Sequence, residues 1–116
     1  MRMWMIPVEI LCTKHLLGEH VETHMFVGTI LRGKRLNGYV DNNLFEARSL
    51  QIRHDKLANE IDRRGYKHKS DLKKFDIERL SDKERESVVD VSRSFEDLLG
   101  RCEECRKRNE KVIHFL

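Results

Sequence analysis

At 116 residues and 13.9 kDa the chain has room for one small domain and none for a catalytic domain beside a separate recognition domain. Charged residues make up 37% and hydrophobic ones 39%, so the core is modest and the surface largely ionic, and apolar residues at helical spacing exclude a disordered chain. The net charge of +3 names no anionic partner by itself, but residues 63–74 carry six basic side chains against one acidic, a net of +5 between a neutral 1–62 and a 75–100 segment at −4.

Pro7, the single proline, suits the first turn of a helix, where its missing N–H costs nothing. From Val8 the pattern stays helical to about Leu31, and Gly33 ends it. Leu11, Leu16, Phe26, Val27, Ile30 and Leu31 supply apolar faces, while His15, Glu19 and Glu22 recur at intervals of three and four as a polar stripe. Residues 32–45 read as a loop whose Asp41-Asn42-Asn43 is placed to cap the next helix. Ala47, Leu50, His54, Leu57, Ala58 and Ile61 mark one face of that second helix, closed by Gly65. A connection over 66–81 holds the basic residues and at most one turn of helix. Ser81-Asp82-Lys83-Glu84 then has the form of a capping box, opening a third helix with Val88, Val91, Phe95, Leu98 and Leu99 on its apolar side. The sum is an all-α fold, one compact domain over 1–116 of about three main helices, with an extended N-terminal arm packed along the first.

No apolar run approaches the roughly 18 residues of a membrane span, and the Met1–Pro7 stretch is too short for a signal peptide, so a soluble intracellular chain is expected. Cys12, Cys102 and Cys105 are too few for a secreted disulfide framework, and reduced thiols are expected.

The arm carries the chemical interest. A helix from Val8 puts Glu22 fourteen residues on, a rise of about 21 Å, and an arm from Met1 to Pro7 laid back along it reaches about 20 Å. The α-amino group then arrives beside Glu22. Such amines titrate near about 7.7–8.0, so a neutral, nucleophilic fraction exists near pH 7 and attacks electrophilic carbon. On spacing alone another reading stands beside this one, in which Glu22 is a solvated acid and the arm only packs Trp4 and Ile6 on the core.

The string Thr13-Lys14-His15-Leu16-Leu17-Gly18-Glu19-His20-Val21-Glu22 resembles the first-helix signature of the pyrimidine-dimer DNA glycosylase family, known as endonuclease V in bacteriophage. Leu57-Ala58-Asn59-Glu60-Ile61-Asp62-Arg63-Arg64-Gly65-Tyr66 resembles its second-helix ending, and the similarity covers roughly residues 1–70. The resemblance implies a compact helical DNA repair enzyme, both N-glycosylase and abasic-site lyase. Its N-terminal amine attacks C1′, and the glutamate equivalent to Glu22 assists ring opening and β-elimination. Met1 itself occupies the nucleophile position, and because initiator methionine is removed only before small residues, Arg2 keeps it in place. Arg2 matches the family's second-position arginine, a DNA contact beside the reacting sugar, and His15 in the same register is assigned as a further DNA contact. The implied partner is double-stranded DNA with damaged or abasic nucleotides. A monomer without cofactor or metal is expected, cytoplasmic or nucleoid-associated, in a prokaryotic or viral setting.

Two departures bear on the substrate. The family's arginines just before the glutamate and three residues after it are Val21 and Met25 here, and its aromatic, lysine-containing C-terminal segment is reduced to His114 and Phe115. Abasic sites and other modified pyrimidines tolerate those losses better than dimers. Lys34, Arg35, Arg64, Lys67 and Lys69 are the phosphate candidates, although cations at helix ends are also favoured by the dipole alone.

Cys102-Glu103-Glu104-Cys105 has the spacing of half a zinc site, and His20 and His24 lie one helical turn apart, which makes a Cys₂His₂ site the metal alternative. The second CxxC is missing, and two solvent-facing thiols on a helix are the preferred reading. His20-Val21-Glu22-Thr23-His24 is not a zinc-protease motif, because its glutamate points away from both histidines. His54 is expected to pack in the second helix and His68 to join the basic patch. The rival from another class is a non-catalytic helical module that binds nucleic acid through the basic segment.

Overall fold

The structure, a computed structural model describing residues 1–67 and 70–114, is all-α among those residues, as the periodicity predicts. Pro7 opens a 3₁₀ turn over Val8–Ile10, and the chain runs extended through Leu11 and Cys12 before α1, Thr13–Leu31. The predicted start at Val8 is thus too early. Ile10, Leu11 and Cys12 are 3%, 0% and 9% exposed, and three consecutive side chains, about 100° apart on a helix, cannot all face one core.

Gly33 ends α1 as predicted. It sits at φ +68°, its N–H donates to the Ile30 carbonyl at 3.0 Å, and the Lys34 N–H donates to Thr29 at 3.2 Å, the two bonds of a Schellman stop. A short α2, Asn37–Asp41, follows, and Asn43 at φ +57° closes it in the same way. Asp41-Asn42-Asn43 therefore finishes one helix and does not cap the next. That next helix, α3, Leu50–Arg63, grows out of a 3₁₀ turn at Ala47–Ser49, buries the predicted face, and stops at Gly65, φ +90°. A Cβ added to Gly33 meets nothing within 4 Å, so Gly33→Ala isolates the backbone term. It is expected to lower stability by about 1 kcal/mol in a urea titration, with helix content unchanged.

The Ser81 capping box is present, the Glu84 N–H donating to Ser81 Oγ at 3.2 Å and the Ser81 N–H to Glu84 Oε1 at 3.1 Å. It opens only α4, Asp82–Arg85. The other Glu84 oxygen takes the Leu36 N–H at 2.9 Å, and beyond it Ser87 Oγ donates to the Phe45 carbonyl and the Val89 N–H to Glu46, pinning the segment as an irregular link. Asp90 caps a separate α5, Val91–Arg101, through the Arg93 N–H, and α6, Glu103–His114, follows it.

Two apolar clusters result. Met3, Phe26, Ile30, Leu36, Phe45 and Leu50 lie at the centre of one; Trp4, Ile6, Leu11, Leu16, Leu57 and Leu98 at the centre of the other. The arm is the seam between them, Met3 entering the first and Trp4 and Ile6 the second. Each such side chain contributes about 1.5–3 kcal/mol of burial, and the Met3 N–H also donates to the Leu44 carbonyl at 2.8 Å. The arm is not straight: Met5 stands at φ +59°, a left-handed conformation that costs a non-glycine residue about 1 kcal/mol or more.

Candidate active site

The polar stripe of α1 divides into three environments. Glu19 turns inward, 1% exposed, and Arg53 of α3 grips it with two bonds of 2.6 and 2.8 Å, while the third arm of the guanidinium donates to the Ile6 carbonyl at 2.7 Å. A charge pair this deep persists because its donors and acceptors are matched. Arg53 thereby bolts the arm to both long helices.

Glu22, one turn further, is half-buried, and its Oε2 accepts the Arg2 backbone N–H at 3.2 Å. The arm therefore lies against α1 with the Arg2 backbone beside Glu22. Burial pushes the Glu22 acid above its ordinary range and the Glu19 charge adds to this, while the Arg2 N–H, the charge of the N-terminal amine and the Arg2 guanidinium pull the other way. The amine and the carboxylate thus share one electrostatic environment.

Arg2 itself faces the fold. Its guanidinium donates to Ser94 Oγ at 3.0 Å and Asp97 Oδ2 at 3.4 Å, both on α5, and lies 3.7 Å over the Trp4 ring. Burial lowers its pKa, partly offset by Asp97. The side chain is 15% exposed, so Arg2 acts here as a strut from arm to helix, with its backbone on Glu22. Sequence reasoning missed Ser94 and Asp97, whose one signal is their three-residue spacing on a helix face.

His15 also lies away from Glu22. Its Nδ1 is 3.2 Å from Cys12 Sγ and its ring meets Trp4 edge-on at 5.9 Å, so it stands among sulfur atoms and indole. Of the expected phosphate ligands, Lys34 and Arg35 are exposed just beyond the α1 stop and Lys67 just beyond the α3 stop. Arg64 is engaged, donating to Glu60 at 2.7 Å and the Val8 carbonyl at 3.1 Å with its side chain 8% exposed. Lys69 and His68 lie outside the described residues. Leu17, Val21 and Met25, exposed and four apart, form an apolar strip on the outer side of α1 next to Glu22.

The Cys₂His₂ alternative does not assemble. His20 and His24 project to α3, where their rings sit 5.0 Å from that of the buried His54, while Cys102 and Cys105 meet a different partner pair, Cys12 and His15. Cys105 is fully buried, so the expectation of two solvent-facing thiols fails as well. The spacing alone concealed this, since it does not reveal which face of α6 packs on the rest of the chain. Glu22 and the two histidines diverge from one helix, as the angular argument requires.

Among the described residues no helix is long and apolar enough to cross a membrane. The sequence pattern of the family described as pyrimidine dimer DNA glycosylase matches residues 1–74, the stretch that holds the arm, α1 and α3. No curated protein and no solved structure matches the chain.

Proposed function

Since the chain belongs to the pyrimidine dimer DNA glycosylase family, whose pattern spans residues 1–74 of its 116, we propose that it excises a damaged pyrimidine through the Met1 amine and then cuts the strand with help from Glu22. In this reading the amine lone pair forms an N–C1′ bond as the glycosidic bond breaks. The base leaves with the glycosidic electron pair and takes up a proton. The nitrogen gives up a proton, O4′ takes one as the C1′–O4′ bond opens to leave a protonated imine, and the Glu22 carboxylate removes a proton from C2′. A C2′–C3′ double bond forms while the 3′ phosphate departs with the C3′–O electrons, and water then releases the sugar and restores the amine.

One observation carries the reading: the 3.2 Å bond from the Arg2 N–H to Glu22 leaves Met1 as the next group along the arm from a half-buried carboxylate. The carboxylate's raised pKa suits a group that both takes and returns protons. Reaching C1′ requires distorting the duplex, a cost of a few kcal/mol that phosphate contacts from Lys34, Arg35, Lys67 and the sequence-adjacent Lys69 offset. Val21 and Met25, exposed beside Glu22, offer no cation to the DNA, a loss that abasic and modified pyrimidine sites tolerate better than dimers.

Glu22→Gln tests the carboxylate. The variant is expected to bind abasic duplex with unchanged affinity and to cut it about 10²–10⁴-fold more slowly. In the wild type the cutting rate falls on the acid side with a midpoint above the ordinary glutamate value, since the carboxylate form is required. Stability moves the opposite way: a carboxyl whose folded pKa is raised favours the fold fully below its unfolded pKa, and that contribution is lost as pH rises through the folded value. Glu22→Gln therefore melts higher than wild type at pH 7, and the difference closes in acid. Unchanged cutting in the variant, or binding without cutting by the wild type on every damaged duplex, contradicts the proposal and leaves a binding module.

A further inference from the structure

Cys12 and Cys102 stand ahead of two helices in the same way. The carbonyl of each accepts the N–H four residues on, Leu16 at 2.8 Å and Arg106 at 3.1 Å, and three positions after each cysteine comes a second metal-ligand side chain, His15 and Cys105. The two pairs converge. Cys12 Sγ lies 3.2 Å from His15 Nδ1 and 3.9 Å from Cys102 Sγ, Cys105 Sγ lies 3.7 Å from His15 Nδ1, and all four ligand atoms fall within 4.8 Å of one another. A tetrahedron with metal–sulfur bonds of about 2.3 Å and a metal–nitrogen bond of about 2.0–2.1 Å has edges of roughly 3.5–3.8 Å, so the four atoms need shift only by fractions of an ångström, or about one for the widest pair.

We propose that Cys12, His15, Cys102 and Cys105 form a closed structural site for one zinc-class divalent cation. On binding, three thiols give up three protons and become thiolate ligands, and the His15 Nδ1 lone pair supplies the fourth bond. Three thiolates against a dication leave one negative charge, which Lys14 and Arg101, whose fields reach His15, and Arg108, whose field meets that of Cys105, offset. The surroundings already aim an N–H group at sulfur, the Cys12 N–H donating to Cys105 Sγ at 3.2 Å.

Four protein ligands leave no position for substrate or water, so the ion would hold structure and take no part in the reaction. What it would hold is specific. Cys12 and His15 lie at the start of the helix that carries Glu22; Cys102 and Cys105 lie at the joint of α5 and α6, beyond the stretch shared with the family. The ion clamps those two helices onto α1, and α5 in turn supplies Ser94 and Asp97 to Arg2 of the arm. The inference stands apart from the imine chemistry and neither needs the other.

The full chain, expressed in zinc-supplemented medium and purified without chelator, should carry one zinc per molecule by elemental analysis. Cobalt exchanged into it should show the strong absorption of a tetrahedral thiolate site. Chelation should lower the melting temperature by about 10 °C or more. Cys102→Ala, at a half-exposed position, should retain helical content and lose the bound zinc and the cobalt band. Wild-type protein without zinc and without a cobalt–thiolate band overturns the proposal, as does a Cys12–Cys102 disulfide in the intact mass. Zinc kept in Cys102→Ala and lost in His20→Ala overturns it too, by placing the ion on the histidine cluster.

Discussion

Adding one residue ahead of Met1 is expected to abolish borohydride-trapped adducts with abasic DNA and to slow strand cutting by about 10³-fold or more, with binding retained. The extension turns the Met1 amine into an amide without a nucleophilic lone pair, and it places the new amine up to about 3.5 Å further along the chain. The Arg2 N–H fixes the arm against Glu22 at 3.2 Å and Met3 is fully buried, so the arm has no slack with which to draw the new terminus back. Removing the extension with a site-specific protease should restore both trapping and cutting, which separates loss of the nucleophile from misfolding. Trapping by the extended protein at the wild-type rate contradicts the assignment.

The second large effect lies in the bolt behind the site. Arg53→Met leaves the Glu19 carboxylate buried without its partner and the Ile6 carbonyl without its donor. Removing one member of such a pair costs about 3–5 kcal/mol, a large part of the roughly 5–15 kcal/mol that holds a domain folded. Urea titration reads the cost directly. The double variant Glu19→Leu with Arg53→Met should recover most of it, since no buried charge then remains. Activity should not recover in parallel, because the double variant still lacks the donor that fixes the arm at Ile6. Full recovery of cutting in the double variant would show that the tether to Ile6 is dispensable.

Local signals were legible in the sequence. Gly33 and Gly65 stop their helices because only a residue free to adopt positive φ completes the stop cheaply, and the α3 face from Leu50 to Ile61 is read directly from its spacing. The sequence arithmetic for the arm assumes a helix from Val8, whereas α1 begins at Thr13, and it is the burial of Met3, Trp4 and Ile6 with the Arg53 bond to the Ile6 carbonyl that holds Arg2 beside Glu22. What was not legible depends on partners distant in the chain. Glu19 reads as one more polar residue on an outer stripe until Arg53, 34 residues on, covers it. Glu84 signals the start of a long helix, and the helix is short because Ser87 Oγ donates to the Phe45 carbonyl and the Val89 N–H to Glu46, partners 42 and 43 residues back that pull the chain out of the helix. His15 reads as a DNA contact by register, yet the return of α6 brings Cys105 against it. Cys12 looks isolated for the same reason, its backbone N–H meeting the Cys105 sulfur across 93 residues.

The central claim is that the amine of Met1, held against Glu22 by the arm, forms the bond to C1′. The most direct measurement is to reduce the reaction on abasic duplex with borohydride, digest the protein and locate the sugar by mass spectrometry. The account predicts a single adduct on the N-terminal peptide, at the α-amino group of Met1. Strand cutting accompanied by an adduct on a lysine side chain, or by no adduct at all, contradicts it.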